Sequence, residues 1–377
     1  MSFRHLRNGW RHDVRPLLTL LAFIALAGTD ASAQGQCARE IGVVGGFARF
    51  MPAGGGQPRY ADRLDLPGSA SAYTTLFVVI PLTSRLALEP AIAASHSTFK
   101  EASDLSPAAS SSNVRLTLRA DVAIAAGLYI AAGGLLRYKD LDDAHDIQLG
   151  ALGAVGYRKD LGSRLAARIE FQWISQRKTD SIVPTNVYAL LLGFSHRLPR
   201  LRARAATSAL PSNRWRAAFG MAGGYVRTHL YGSESGFDID AHETVVHFPG
   251  SGSTALPPLF VVVPLRGRVA LETAFGGQRT QQPGSTTIDG QLSTRLDLAI
   301  YRGGYVAGGG TMHYIARTGR PGFAAAGAHV ATGYRFPLVG GLDGRAEVSF
   351  TTFKERRDFP LAQSTLAVLL GVTMALD

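Results

Sequence analysis

The chain has 377 residues, 43 of them glycine, with 18% charged residues and a formal net charge of +11. That length admits two ordinary domains, and the single cysteine, Cys37, excludes an intrachain disulfide. Glu and Lys are scarce while Val, Thr, Tyr, Phe and Gly gather in short runs, a profile suited to strands and turns rather than long helices.

The first 33 residues read as an export segment. Arg4, Arg7, Arg11 and Arg15 form a basic start, Leu17 to Ala27 an apolar core, and Ala31-Ser32-Ala33 a small-residue cleavage site, so the mature chain is expected to begin at Gln34. The apolar core is too short to cross a bilayer as a helix. Cleavage would remove these four Arg with Asp13 and Asp30, lowering the formal charge from +11 to +9. An exported basic chain is expected to meet anionic outer-membrane lipid or lipopolysaccharide rather than nucleic acid. No later apolar run reaches the roughly 20 residues of a spanning helix, so a mature chain that enters a membrane must do so as a closed β-barrel.

An internal repeat sets the organisation. Leu76 to Ile92 reads LFVVIPLTSRLALEPAI, and Leu259 to Phe275 reads LFVVVPLRGRVALETAF, aligning Pro81 with Pro264, Arg85 with Arg268 and Glu89 with Glu272. The first unit, residues 34–198, is expected to hold eight strands: Ile41–Phe50, Ala72–Leu82, Leu86–Phe99, Asn113–Ala125, Leu128–Tyr138, Asp146–Arg158, Arg164–Gln176 and Asn186–Leu198. Connections alternate between short turns and long polar loops such as Met51–Ser71 and Lys100–Ser112, as in transmembrane barrels. Residues 199–214, rich in Arg, Ala and Pro, read as a linker. The second unit, residues 215–377, repeats the eight: Trp215–Thr228, Ala255–Leu265, Arg268–Arg279, Gln291–Tyr301, Gly304–Ala316, Gly322–Phe336, Arg345–Lys354 and Leu361–Leu376. Its long loops are expected at His229–Thr254 and Thr280–Gly290, and its tight turns at Arg266–Gly267 and Arg302–Gly303.

Period-two alternation assigns the faces. Leu118, Ile169, Phe171 and Trp173 share the large apolar side, which must face lipid. Glu89, Arg119, Asp121, Arg168 and Glu170 therefore point into the barrel, and Glu272, Arg295, Asp297, Arg345 and Glu347 repeat them. Buried charges persist when paired, so an ion-pair network is expected inside each unit. It reads either as a plug filling a narrow lumen or as the gate of a small conduit. An Arg neighbours each carboxylate pair in sequence, which favours structural pairing over acid–base catalysis. No catalytic residues, cofactor or metal are expected. The histidines (His96, His145, His242, His247, His313, His329) have no metal-ligand spacing, Ser95-His96-Ser97 lies in no lipase-like motif, and no Gly-rich run opens a helix. Gly133-Gly134 and Gly308-Gly309-Gly310 read as room for close packing.

With these features each half resembles the small eight-stranded outer-membrane barrels of the OmpA/OmpW kind. The resemblance implies Arg–Glu pairs inside the barrel at the positions named above. It departs from that pattern at the C-terminus, Met374-Ala375-Leu376-Asp377, which lacks a final aromatic residue. Two all-β closures are open: two tandem eight-stranded barrels, or one antiparallel barrel of sixteen strands with a water-filled lumen. Small inward residues (Ala87, Ala91, Ala93, Ala123, Ala125) and the long linker favour the first. Three functions follow: a structural or surface-interaction protein with a plugged lumen and its outer loops as contact surface, a porin or small-solute channel, or a lipid-modifying enzyme. The extracellular ligand, if there is one, is not readable from the sequence.

Overall fold

The computed structural model describes residues 39–52, 60–66, 76–101, 109–125, 127–141, 144–162, 164–177, 185–198, 214–234, 237–247, 257–338, 342–353 and 361–376. The expected export segment (1–33) and nearly all of the expected linker (199–213) lie outside them. Among the described residues the chain is all-β and antiparallel, with no helix long and apolar enough to cross a membrane.

The first half contributes β1 (Glu40–Pro52), β2 (Ala61–Asp65), β3 (Leu76–Pro81), β4 (Leu86–Glu101), β5 (Ala109–Ala123), β6 (Leu128–Leu141), β7 (Ala144–Asp160), β8 (Leu165–Gln176) and β9 (Thr185–Arg197). The second contributes β10 (Ala218–Glu234), β11 (Phe237–His247), β12 (Leu259–Arg266), β13 (Val269–Gln282), β14 (Ser285–Tyr301), β15 (Gly304–Arg317), β16 (Arg320–Pro337), β17 (Leu342–Phe353) and β18 (Leu361–Ala375).

Both closures occur, at opposite ends of the molecule. At the short-turn end β1 pairs with β3 and β9, and the ladder β3 to β9 completes a ring of eight strands. There β10 likewise pairs with β12 and β18, and β12 to β18 complete a second ring of eight. Toward the long-loop end the partners are exchanged. The upper part of β1 pairs with β2, which turns to β13 of the other half (Asp65↔Gln278 to Asp62↔Gln281). The upper part of β10 pairs with β11, which turns to β4 (His247↔Ser95 to Ala241↔Glu101). Following these pairings around gives one ring of sixteen: β1, β2, β13 to β18, β10, β11, and β4 to β9. The barrel is a sixteen-stranded trunk that forks into two eight-stranded legs.

The fork is built from a repeated sequence. Gly42-Val43-Val44-Gly45-Gly46 in β1 matches Gly220-Met221-Ala222-Gly223-Gly224 in β10. β1 changes partner between Val43↔Leu76 and Gly46↔Asp65, and β10 between Met221↔Leu259 and Gly224↔His247. Gly46 and Gly224 have φ of 155° and 153°, and a Cβ on either would stand 2.1 Å from the carbonyl oxygen of Leu190 or Val368. Only glycine fits there. Below the fork the outer walls of the legs pack together: Val43, Met221, Leu259 and Met374 are buried with Leu76, Phe219 and Phe275 against them, and the Phe194 and Phe219 rings lie 6.2 Å apart.

Elsewhere the outer face is apolar and exposed, as a lipid-facing wall requires. Leu118, Ile169, Phe171, Trp173, Leu296, Val348, Phe350 and Leu370 all point outward, Leu370 with 61% exposure. Exposed Tyr157, Tyr301 and Tyr334 flank this belt near the short turns, and Trp173, Tyr188 and Tyr314 near the long-loop end. Two such girdles mark the membrane interfaces of a barrel. The fold is that of an outer-membrane-type β-barrel.

Three expectations about loops are corrected. Met51–Ser71 contains β2, and His229–Thr254 contains the end of β10 and all of β11, so the two segments expected as free outer loops supply the exchanged strands. Thr280–Gly290 is a tight hairpin, β13 running to Gln282 and β14 starting at Ser285 around Gly284 (φ 80°). Polar residues in these segments, such as Asp62, Arg63, Asp238, Asp240 and Glu243, give strands the composition of a loop. The turns at Gly267 and at Arg302–Gly303 form with the positive φ that two-residue hairpins need.

Candidate functional site

The ten inward charges gather into two layers, one in each leg, with the same wiring. In the first leg Arg119 donates two hydrogen bonds to Glu170 (2.7 and 2.7 Å) and forms ion pairs with Glu89 and Asp121, both at 2.9 Å. Arg168 bridges Glu89 (2.6 Å) and Glu170 (3.4 Å). In the second leg Arg295 holds Glu347 at 2.9 and 2.6 Å and pairs with Glu272 and Asp297 at 3.0 Å, while Arg345 bridges Glu272 (2.5 Å) and Glu347. All ten are buried. Two-point Arg–carboxylate contacts fix geometry as well as charge. Each layer sets three carboxylates against two guanidinium groups.

Sequence reasoning missed several supports of these layers. The Tyr129 hydroxyl donates to Glu170, and the Tyr305 hydroxyl to Glu347 (2.6 Å). Phe77 stacks under Arg168 (4.2 Å) and Phe260 under Arg345 (4.5 Å). The signal was present: each pair keeps the offset of its neighbouring charge, Tyr129/Tyr305 that of Arg119/Arg295, and Phe77/Phe260 that of Glu89/Glu272. The glycine runs do give room for close packing. Gly133 and Gly309 stand directly opposite Arg119 and Arg295, and a Cβ there would meet the arginine Cβ at 2.5 and 2.7 Å.

Toward the trunk the legs differ. Above its ion pairs the first leg is filled by Phe50, Leu135, Leu152, Ile174 and Val187. The repeat places Thr228, Thr311, His329, Thr351 and Thr365 at the same five positions of the second leg. All five are buried, and they bond among themselves and to the layer. His329 contacts Arg295 (2.9 Å) and Thr351 (2.8 Å), Ser293 donates to Thr311 (2.8 Å), and the Thr228 and Thr365 hydroxyls meet at 3.2 Å. A cavity of about 40 Å³ lies against this layer, lined by Ser293, Arg295, His329, Glu272, Arg345 and Glu347 among others. That is room for about two waters, bounded by these charged groups and by Ala222, Pro257, Phe260, Ala274 and Leu369. At those five positions the first leg is apolar, although Thr117, which faces Leu135, and Gln172, Gln176 and Arg115 are buried in that leg as well.

The short-turn ends also differ. In the first leg Glu40 accepts from Ser195 (2.6 Å) with Arg197 and Arg158 at 3.5 and 3.7 Å. In the second leg Trp215 closes the end. Its indole N–H donates to the Arg268 carbonyl (3.0 Å), its ring stands edge-on to Tyr305 (5.5 Å), and the Arg335 guanidinium lies 3.8 Å above it.

Of the remaining histidines, His96 bonds Ser112 (2.8 Å), His313 meets Asp289 (2.9 Å), and His242 stacks on His229 (4.4 Å) within β10 and β11 rather than in a loop. Among the described residues no three His, Cys, Asp or Glu side chains are grouped to hold a metal ion.

No protein-family model and no curated protein matches this chain. Solved structures similar to it include the CymD monoaromatic hydrocarbon channel, at 10% identity and a TM-score of 0.31 over 91% of this chain and 90% of that one. Pseudomonas aeruginosa OpdL matches at 10% identity and 0.30 over 90% and 99%. A Pseudomonas aeruginosa FadL homologue matches at 11% identity and 0.28 over 90% and 91%.

Proposed function

We propose that this chain is an outer-membrane channel for small polar solutes, with the second leg as its conduit and a resting state closed by the Arg295–Glu347 layer and Trp215. The observation that carries this reading is the replacement of five apolar lumen positions by four threonines and a histidine in one leg alone. A barrel half that serves only as a wall has no need of a hydroxyl-lined bore, and filling it with Leu and Ile, as in the first leg, is the simpler packing. An apolar section excludes water and ions, whereas a polar one admits them. The first leg is then the structural half, and the channel reading is favoured over a purely structural or surface-interaction role.

The test is single-channel conductance of the refolded protein in planar bilayers. Wild type should show rare, small openings. Arg295→Ala and Trp215→Ala should each make them larger or more frequent, while Arg119→Ala in the first leg should leave them unchanged. Large, stable steps in wild type, or equal effects of Arg119→Ala and Arg295→Ala, would sink the reading.

A further inference from the structure

Arg115 is the least expected charge in the molecule. It lies on β5 at the trunk-side end of the first leg with 1% of its surface exposed, and its Nε and Nη1 atoms have no hydrogen-bond partner. A buried guanidinium with unmet donors costs several kcal/mol unless a counter-charge answers it. Its surroundings make matters worse. Arg137 on β6 is its directly facing residue across the ladder, and Arg63 on β2 is the third cation within electrostatic reach. Like charges at facing positions of a sheet repel. The nearby acid is Asp65, whose Oδ1 is held by Arg63 at 2.7 Å and whose buried Oδ2 has no hydrogen-bond partner, so one carboxylate stands among three guanidinium groups.

The Gln176 Nε2 donor is also buried without a partner, and so is the acceptor Gln148 Oε1, on the residue that faces Arg137. Arg137 donates from Nε to Asn113 (3.3 Å), and both Arg137 and Arg63 keep partial exposure, which opens the group toward the trunk lumen. The group is specific to this half. At the matching places of the second leg stand Gln291 for Arg115, His313 for Arg137, Val245 for Arg63 and Phe353 for Gln176. A shared barrel-folding requirement would have kept these residues in both repeats, as it kept the ten charges of the two layers.

We infer that Arg115, Arg137 and Arg63 form a binding site for a small soluble oxyanion, a phosphate or carboxylate group, entering from the trunk above the sealed first leg. The unmet Nε and Nη1 donors lie on different edges of the guanidinium, so each offers a single charge-assisted bond to an anion oxygen rather than a two-point fork. The inference stands apart from the conduit reading, since the two sites lie in different legs.

The test is thermal unfolding of the refolded protein in phospholipid-free, zwitterionic micelles, with inorganic phosphate titrated against chloride at matched ionic strength. Phosphate should raise the wild-type Tm by roughly 2 °C or more and saturate. In chloride, Arg115→Gln should melt above wild type, because the lone charge is gone, and it should lose the phosphate shift. Arg137→Gln, which keeps Arg115, should weaken the phosphate midpoint severalfold, giving a readout if Arg115→Gln fails to refold. Three results would overturn the site: equal shifts with phosphate and chloride, a phosphate shift retained in Arg115→Gln, or a lower Tm for Arg115→Gln in chloride, which would mean the chain itself supplies the counter-charge. A shift seen only with phospholipid present would overturn a soluble ligand in favour of a lipid headgroup.

Discussion

Leu152 and His329 occupy the same inward position in the two legs, one packed among aliphatic side chains and the other bonded to Arg295 at 2.9 Å. Exchanging them tests the division of labour directly. Thr311→Leu, His329→Leu and Thr351→Ile combined would give the second leg the lining of the first. The variant should fold, because the first leg already accommodates those side chains, and it should lose the rare openings expected of wild type in planar bilayers.

The buried layers should dominate stability over surface pairs. Glu170→Gln takes the two-point partner from Arg119 and leaves Glu89 as the carboxylate that Arg119 and Arg168 share, and it should cost about 1.5–3 kcal/mol in urea unfolding from micelles. Glu347→Gln should cost a similar amount in the second leg. Asp62→Asn breaks the pair with the half-exposed Arg49 at the trunk rim and should cost under about 1 kcal/mol.

The fork glycines should tolerate no side chain. Gly46→Ala or Gly224→Ala places a methyl 2.1 Å from a neighbouring carbonyl oxygen at a φ that L-residues avoid. Backbone strain alone is worth about 1–3 kcal/mol, and the clash adds to it. Gly134→Ala is the control, since the nearest atom to its Cβ is 3.9 Å away. Heat-modified mobility on gels should fall sharply for the fork variants and little for the control.

The exchanged strands can be trapped covalently. Ser97 and Val245 are facing residues of β4 and β11, one from each half. Facing positions of an antiparallel pair have Cα atoms about 4.5–5.5 Å apart, within disulfide reach. Ser97→Cys with Val245→Cys, in a Cys37→Ser background, should form a bond that keeps the halves together after proteolysis between residues 199 and 213. Two separate bands without reductant would mean the legs close independently along their whole length.

Much of this architecture was legible in the chain. The LFVVIP and LFVVVP segments exposed the duplication, and alternation around Arg119 and Arg168 placed each charge on the inner face. The fork was not legible. Ala61–Asp65 is too short to show a period, the alternation of Phe237–His247 is masked by its Asp, Glu and His residues, and a sequence cannot say whether an edge pairs with its own half or the other. The two closures looked mutually exclusive for that reason. The contrast between Leu135 and Thr311 was present at a fixed offset, but its meaning depends on knowing that five such positions stack in one bore. Arg115 looked like one basic residue among 39 Lys and Arg. Its isolation exists only in three dimensions.

The exchange at the fork bears on how such a protein assembles. If β2 folded back onto β4 and β11 onto β13, each repeat would seal itself as an ordinary small barrel. The present arrangement is therefore a swap between two descendants of one duplicated unit, and a swap is indifferent to whether its donor lies on the same chain. What keeps it private is the short tether from Leu198 to Arg214, which holds the other half at a high local concentration. Lengthening or cutting that tether early in folding trades one forked barrel for self-closed monomers or chains knitted into pairs.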